Sequence, residues 1–515
     1  MSRVHNAARS LASGYAAMVA NVFYTLASVP LALHYLSKEE FGLWALVAQI
    51  GVYLTLLDLG MSGSVARILI DHKDTRSDGV YGAVLKTGCL VLLIQGACII
   101  LGGGLLSLLL PGLLKVPAEL GKTFQILVAA QCLIMGITFV GRILMNILQA
   151  HQRYDSLNYS QIGQLAVGFA TQWLTFHWGW GLYSLLAAAA SNYFFGTLYN
   201  LFWVVRLRLF PERGHWGKAT MGIFHELWSF GKDLFVLSVG LQLLNASQVV
   251  IISRTLGLDA AATWTIATRT FQLAFQFVQR VFDFSSGAFA EMIVRQERAT
   301  LRRRFRDMLV LSASLAVFVS ISIAVCNGSF VALWTRGRIQ WPLLNDALMG
   351  IVLLLTLVTR CFVGLTGCAK QIGMMRWVYF VEGVCFVIGA FVLAHFIGIA
   401  GVIISAIAAN LVWSGTYGVR WAARYLEVST AEISLGWLRP ALQYLALMLP
   451  VSIALSWLSF NLQPLVRLLV DAGFLIVVGL PALWFIGLNS DVRGDVRQAA
   501  QRMGVGAGVL KAFMA

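Results

Sequence analysis

Long apolar stretches separated by short polar ones run through the whole chain of 515 residues. Each apolar stretch has about 20 residues or more, which is the length that an α-helix needs to cross a ~30 Å hydrocarbon layer. The pattern therefore predicts an all-α polytopic membrane protein with fourteen transmembrane helices. The predicted spans cover residues 11–33, 42–64, 84–109, 123–146, 157–177, 181–204, 232–253, 260–283, 308–333, 343–365, 374–395, 398–419, 437–460 and 465–487.

The distribution of basic residues predicts how the chain is oriented. Hydrophobic residues make up 59% of the sequence and charged residues 12%, yet the formal net charge is +15. In a soluble protein this positive charge would suggest a nucleic acid partner. Here Lys and Arg are concentrated in alternate loops, as the positive-inside rule describes. We therefore expect both termini in the cytoplasm and no nucleic acid partner.

A weak internal repeat predicts the domain organisation. The segment Leu36–Trp44 (LSKEEFGLW) aligns without gaps on Leu256–Trp264 (LGLDAAATW), and each follows one long apolar span and opens the next. Two six-helix bundles related by an axis along the membrane normal, with a cavity between them, are typical of such parallel repeats. The predicted divisions are a bundle over residues 1–205, a cytoplasmic linker over 206–231, a second bundle over 232–421, two additional helices over 422–488 and a cytoplasmic tail over 489–515.

The eighth predicted span has a polar face. On one membrane-length helix over Thr265–Asp283, the side chains of Arg269, Gln272, Gln276 and Arg280 fall within about a third of the helical wheel. The two arginines would project in nearly the same direction, ~16 Å apart along the axis. This arrangement predicts a cationic lumen.

Arg269 is the stronger functional candidate of the two arginines. A guanidinium stays charged, and a charge at the bilayer centre costs at least about 2.5 kcal/mol, so it must face protein or water. Arg280 has an alternative role, because Asp283 lies three residues away on the same face and the two could simply pair. Arg269 has no acid within one helical turn and lies near mid-membrane.

Other polar residues within the spans are weaker candidates. Asn245 belongs to a polar stripe on span seven, although such stripes often serve only helix association. Asp58 in span two and Glu382 in span eleven are carboxylates that must be paired, hydrated or protonated. Asp58, Asp283 and Glu382 are therefore candidates for charge pairing or ion coupling, and we expect pairing first for Asp58 and Glu382.

Several kinds of chemistry are not predicted. The only G-K-T sequence, Gly121-Lys122-Thr123, has Val116 where a P-loop needs its first glycine, so no ATPase is indicated. The histidines and cysteines are dispersed and form none of the usual ligand motifs. We expect no catalytic residues, no cofactor and no metal site.

A signature near the N-terminus carries a family resemblance. Pro30, the segment Leu36–Trp44 and Leu57-Asp58-Leu59-Gly60-Met61 are similar to the P…LG-x-x-x-[YF]-G-[LI]-[WY]…[LS]-D-[LF]-G signature of the polysaccharide transporter branch of the multidrug/oligosaccharidyl-lipid/polysaccharide (MOP) exporter superfamily. The chain thus resembles O-antigen flippases of the Wzx type. It differs by having Ser37 where the family usually has glycine.

The resemblance implies an alternating-access transporter in the bacterial inner membrane. Its substrate would be an undecaprenyl-pyrophosphate-linked oligosaccharide, an O-antigen or exopolysaccharide repeat unit. Its other partners would be membrane phospholipids, a polysaccharide polymerase and the chain-length machinery. Lipid II flippases of this superfamily use arginines in spans one, two and eight. In this chain spans one and two lack a central arginine. Of those arginine positions, the resemblance therefore carries over only to Arg269 in span eight.

Three alternatives stay open. A multidrug or organic-cation antiporter of the same superfamily would need an anionic cavity, and arginines in span eight would repel its substrate. A membrane-embedded polymerase or glycosyltransferase usually needs a large external loop, and the predicted external loops are short. A scaffold in the polysaccharide machinery is the third alternative.

Overall fold

The computed structural model describes residues 3–72, 79–369, 371 and 373–502, and this part of the chain is helical, with no β-strand. Four short segments have π-helical geometry, and a 3₁₀ helix covers Thr55–Asp58. The α-helices are α1 Arg3–Tyr35, α2 Lys38–Leu54, α3 Met61–His72, α4 Val80–Leu113, α5 Ala118–Phe139, α6 Arg142–Ala150, α7 Tyr154–His177, α8 Tyr183–Arg206, α9 Met221–Leu256, α10 Leu258–Ala267, α11 Arg269–Val278, α12 Arg280–Val294, α13 Arg298–Trp334, α14 Leu343–Cys368, α15 Met375–Ile397, α16 Ile399–Asn410, α17 Thr416–Leu426, α18 Arg439–Leu458, α19 Pro464–Phe474, α20 Leu480–Ala482 and α21 Ser490–Arg502.

The all-α membrane fold is confirmed. Within the described ranges, eleven helices are long and apolar enough to cross a membrane. Two further predicted spans, the fifth and the sixth, correspond to α7 and α8, which have 24 residues each but are more polar. The predicted eighth span is divided among shorter helices. The number of fourteen spans therefore stays a prediction.

The prediction of one continuous helix over Thr265–Asp283 is wrong. The chain is interrupted at Thr268 and at Gln279, which separates α10, α11 and α12. The Thr268 hydroxyl donates a hydrogen bond to the carbonyl oxygen of Trp264 at 2.7 Å. Back-bonding of this kind by a threonine competes with the helical ladder and bends helices. Arg269 and Arg280 are consequently each the first residue of a new helix.

By packing, the chain forms two compact units, Met1–Ala262 and Thr263–Ala515. Helix α9 belongs to the first unit, although the repeat predicts it as the first helix of the second bundle. In the first unit α9 lies against α2 and α3, and Tyr53 on α2 shares a hydrogen bond with Ser247 on α9. The predicted domain boundaries stay a prediction.

The signature segment after α1 forms a helix start. Ser37 is the N-cap of α2, because its hydroxyl accepts a hydrogen bond from the Glu40 backbone N–H at 3.1 Å. The Glu40 carboxylate in turn accepts from the Ser37 backbone N–H at 2.8 Å, which completes a capping box. Serine in place of the family glycine thus supplies a side-chain cap.

The two copies of the repeat segment touch each other. A Cβ atom at Gly42 would lie 2.0 Å from the carbonyl oxygen of Leu258, so only glycine lets the start of α2 approach the start of α10 this closely. Lys38 and Asp259 form an ion pair of 3.7 Å in the same region. Both contacts lie within the first unit.

The signature residues that follow the 3₁₀ helix have a left-handed backbone conformation, which ends the helix. Leu59 and Gly60 have φ values of +52° and +73°, in the left-handed region that favours glycine. A Cβ atom at Gly60 would also lie 2.4 Å from the carbonyl oxygen of Gly231 on α9. The glycine of the L-D-L-G motif therefore has two functions. It allows the positive φ at the helix break, and it allows the close contact with α9.

An aromatic cluster stabilises the second unit. Phe282, Phe289, Phe305, Phe362 and Trp437 are all buried, and neighbouring rings of this group lie 5.8–6.5 Å apart between centroids. Edge-on and tilted contacts at these distances add to the dispersion energy of burial. The cluster fixes α12 against α13 and α14.

Replacing Gly42 with alanine tests the contact with Leu258. We expect Gly42→Ala to destabilise the protein by about 3 kcal/mol or more, because a methyl group would overlap a backbone carbonyl that cannot move aside. Gly102→Ala is the matched control, since a Cβ atom there meets nothing within 4 Å. The midpoint of thermal unfolding in detergent should fall for Gly42→Ala alone. Equal midpoints for the two variants would contradict the contact.

Candidate functional site

Arg269 lies at the break between α10 and α11 in the second unit. Its side chain is half-buried, and its Nη1 donates a hydrogen bond to Oε1 of Gln272 at 3.2 Å. Gln272 is exposed and Gln276 is half-buried, whereas Phe271, Ala274 and Val278 are buried. The structure thus brings Arg269, Gln272 and Gln276 together on the more accessible side of α11.

Asn327 on α13 holds the break in place. Its Nδ2 donates to the carbonyl oxygen of Ala267 at 3.1 Å, and its Oδ1 accepts from the hydroxyl of Thr270. The amide therefore binds the chain on both sides of Thr268, and it is 1% exposed. The backbone of Arg269 is fixed by hydrogen bonds that do not involve the guanidinium.

Asp346 on α14 lies behind Asn327. Its Oδ1 accepts from Nδ2 of Asn327 at 2.6 Å and from Nε1 of Trp341 at 2.8 Å, and the residue is 1% exposed. Neither Asn327 nor Asp346 was predicted from the sequence as a site residue. The sequence feature that could have identified Asp346 is its carboxylate inside the predicted membrane span 343–365.

The expected pair of Arg280 with Asp283 is not formed. Asp283 accepts a hydrogen bond from Nη2 of Arg360 on α14 at 3.0 Å, and the Arg360 guanidinium lies 5.6 Å from the ring centroid of Phe282. Arg280 is exposed, and no carboxylate of the described ranges lies within ion-pair distance of it. Arg280 and Asp283 both lie in the first turn of α12, and Asp283 binds the arginine of α14 instead of the one on its own helix.

Glu382 on α15 is the buried acid of the second unit that sequence analysis identified. It is 2% exposed, and its Oε2 has no hydrogen-bond partner among the described residues. Its polar neighbours are Asn410, which precedes a π-helical turn over Leu411–Gly415, and Ser414 within that turn. The expected charge pairing of Glu382 is not found there, and its role in ion coupling stays a prediction.

Asp58 and Asn245 belong to the first unit. Asn245 is exposed, and its Nδ2 donates to the carbonyl oxygen of Leu241 on its own helix at 2.8 Å. Asp58 ends the 3₁₀ helix and forms an ion pair of 3.4 Å with Nη1 of Arg142. The backbone N–H and hydroxyl of Ser62 also donate to its carboxylate. Pairing was the expectation for Asp58.

Arg142 and Arg360 are the charged residues that our sequence analysis missed. Each lies inside an apolar stretch, in predicted spans 123–146 and 343–365, and each binds an aspartate in its own unit. The signal that could have found them is a lone arginine in a membrane span, which must have a partner.

Four charged residues of the predicted spans lie beside helix breaks. Asp58 precedes the turn at Leu59–Gly60, and Arg142, Arg269 and Arg280 each begin a helix after an interruption. At a break, backbone groups lose their helical partners and can bind side chains or ligands. Discontinuous membrane helices form substrate and ion sites in many transporters. Among the described residues, no group of three or more His, Cys, Asp or Glu is placed to hold a metal ion.

Sequence comparison identifies a family. Residues 10–282 match the family model described as "Polysaccharide biosynthesis protein", which is more than half of the chain. None of the curated proteins matches the chain by sequence.

The fold is similar to those of solved MOP superfamily transporters. An inward-facing multidrug resistance transporter of the MATE family has a TM-score of 0.63 at 13% identity, covering 78% of this chain and 94% of its own. The lipid II flippase MurJ in an inward closed conformation has a TM-score of 0.59 at 12% identity, covering 90% and 97%. A MOP superfamily transporter from Pyrococcus furiosus has a TM-score of 0.56 at 14% identity, covering 82% and 95%.

Replacing Asn327 with leucine tests how the break at Thr268 is held. We expect Asn327→Leu to destabilise the protein by about 3 kcal/mol, because the buried Ala267 carbonyl and the Asp346 carboxyl each lose a donor. Ser312→Ala on the same helix is the control, since that hydroxyl donates to the thioether of Met308, which is a weak acceptor. The midpoint of thermal unfolding in detergent reports both changes. An unchanged midpoint for Asn327→Leu would show that the amide does not hold the break.

Proposed function

The chain belongs to the polysaccharide biosynthesis protein family, and on that basis we propose that it is a lipid-linked oligosaccharide flippase. In this proposal it moves an undecaprenyl-pyrophosphate-linked O-antigen or exopolysaccharide repeat unit across the bacterial inner membrane by alternating access. Both termini lie in the cytoplasm. The similarity of its fold to that of a lipid II flippase supports the proposal.

The observation that carries the proposal is the setting of Arg269. Its guanidinium is half-buried in a predicted membrane span, at a helix break that is held by other residues. A pyrophosphate is polyanionic, and the planar fork of an arginine binds two phosphate oxygens at once. Because the break is fixed through Asn327, Arg269 can bind and release such a group without loss of the local fold.

Neighbouring side chains suit the rest of the substrate. Gln272 and Gln276 extend the accessible side of α11, and amides both donate to and accept from sugar hydroxyls. Arg280, exposed one helix further on, provides a second cation for the pyrophosphate. The polyprenyl chain stays among the phospholipids, because its transfer into water would expose a large apolar area.

A cation-coupled multidrug antiporter is the second candidate, and the fold similarity to a MATE family transporter favours it. A cationic substrate needs unpaired acids. Asp58 and Asp283 are each bound to an arginine, so neither presents a net negative charge. Asp346 and Glu382 have no ion pair among the described residues, but they are only 1% and 2% exposed. None of these four acids is therefore both unpaired and accessible to a cation, which favours the flippase.

Energy coupling and partner proteins complete the proposal. With Asp58 and Asp283 paired, Glu382 is the acid that we assign to ion coupling, because it is buried and one of its oxygens lacks a hydrogen-bond partner in the described part of the chain. A polysaccharide polymerase and chain-length machinery would act on the exported repeat unit.

Substitution of Arg269 tests the flippase directly. We expect Arg269→Ala to abolish export, and Arg269→Lys to retain part of it, because lysine keeps the charge but not the bidentate fork. The assays are surface polysaccharide and lipid-linked glycan in the cytoplasmic leaflet, with the amount of protein in the membrane measured in parallel. Arg303→Ala, an exposed arginine near the start of α13, is the control and should export normally.

The outcome separates the two candidates. Wild-type export by Arg269→Ala would overturn the role of this residue. If deletion of the gene leaves surface glycan intact and lowers tolerance to cationic drugs, the antiporter is the correct function.

A further inference from the structure

The first unit contains a polar cavity that the Arg269 site does not use. Its volume is about 500 Å³. The lining residues come from the 3₁₀ helix and from α3, α5, α6, α7 and α8 with the turn between α5 and α6, so the cavity lies inside one compact unit. Its main polar lining residues are Arg142, Asn146, Gln149, Gln164, Tyr193 and Asn200.

Two buried amide groups point to a ligand. Nδ2 of Asn146 and Oδ1 of Asn200 have no hydrogen-bond partner among the residues that the structure describes, and the two residues are 3% and 4% exposed. Buried polar atoms in folded proteins are almost always paired, and an unpaired one is costly. Both residues line the cavity, so a molecule bound there would complete an unpaired donor and an unpaired acceptor.

The charge of the cavity favours an uncharged ligand. Its one lining arginine, Arg142, is already bound to Asp58 at 3.4 Å and lies 4.3 Å from the ring centroid of Phe139. An anion would compete with the Asp58 carboxylate for the charge of the guanidinium. A neutral molecule can bind beside the pair and leave it intact.

The remaining lining groups suit a sugar. Amide side chains offer donors and acceptors together, as the hydroxyls of a sugar require. Gln164 enters the lining because residue 196 is glycine, where a Cβ atom would lie 2.6 Å from the Gln164 Nε2. Met135 and Phe139 add apolar surface for the C–H face of a sugar ring. The volume is in the range of small-molecule sites, about 300–1,000 Å³.

We infer that this cavity binds an uncharged sugar residue of the oligosaccharide. The inference rests on the proposed function for the identity of the glycan, but its site is separate from Arg269. Asn146 and Asn200 hold the hydroxyls from the buried end, Gln149 and Gln164 bind them from the sides, and the Asp58–Arg142 pair keeps the lining neutral.

The experiment measures binding of the free oligosaccharide, released by mild acid from the lipid-linked intermediate of the native host. The full-length protein is reconstituted in lipid nanodiscs, and saturation-transfer NMR detects contact with sugar protons. We expect signals with the wild type and at least fivefold weaker binding by Asn146→Leu. Gln149→Met, at a half-buried lining position, avoids the risk of misfolding and should also weaken binding.

Control variants and competitors keep this test separate from that of the proposed function. Arg303→Ala, at an exposed position near the start of α13, should bind the oligosaccharide as the wild type does. Unchanged binding by both Asn146→Leu and Gln149→Met would overturn the inference. Competition by inorganic pyrophosphate would identify an anion site, and competition by glycerophosphoethanolamine a lipid headgroup site, and either result would also overturn it.

Discussion

The cost of placing a charge in the hydrocarbon layer is the constraint on which this structure depends. An arginine cannot lose its charge, so each one within a span must find a carboxylate, an aromatic face or a polar surface. Arg142 and Arg360 bind Asp58 and Asp283, one pair in each unit, and each arginine also lies over a phenylalanine ring. The Arg269 guanidinium donates to Gln272, while separate hydrogen bonds of Asn327 stabilise the backbone around the break.

Helix breaks and charges are linked by the same constraint. A break frees backbone groups that must be satisfied, and the residues that satisfy them are polar. Asn327 does this at Thr268, with Asp346 and Trp341 behind it. The break at Leu59–Gly60 depends instead on glycine conformation and close packing against α9. The helix breaks also follow the internal repeat. Leu59 and Gln279 each lie at a break and are 220 positions apart, and the first residues of α2 and α10 have the same separation.

The sequence predicted the helical membrane fold well, because hydrophobic length is a strong signal. It did not predict the breaks in span eight, since Thr268 and Gln279 are ordinary helix residues and Asn327 is 59 positions beyond Thr268. Arg142 and Arg360 escaped notice because their partners lie on other helices, which periodicity within one span does not reveal. Gln272 and Gln276 were accessible to prediction, because one helical face contains both.

The Asp58–Arg142 and Asp283–Arg360 pairs also bear on the electrical behaviour of the molecule. Each pair has no net charge, so a rearrangement that moves both members as one body displaces no charge through the membrane field. An unpaired charge is different, because crossing a potential of 100 mV changes its energy by about 2.3 kcal/mol. Translation of either pair as a unit is therefore insensitive to the membrane voltage. Any current that accompanies turnover must come from the substrate, a coupling ion or the arginines outside the pairs.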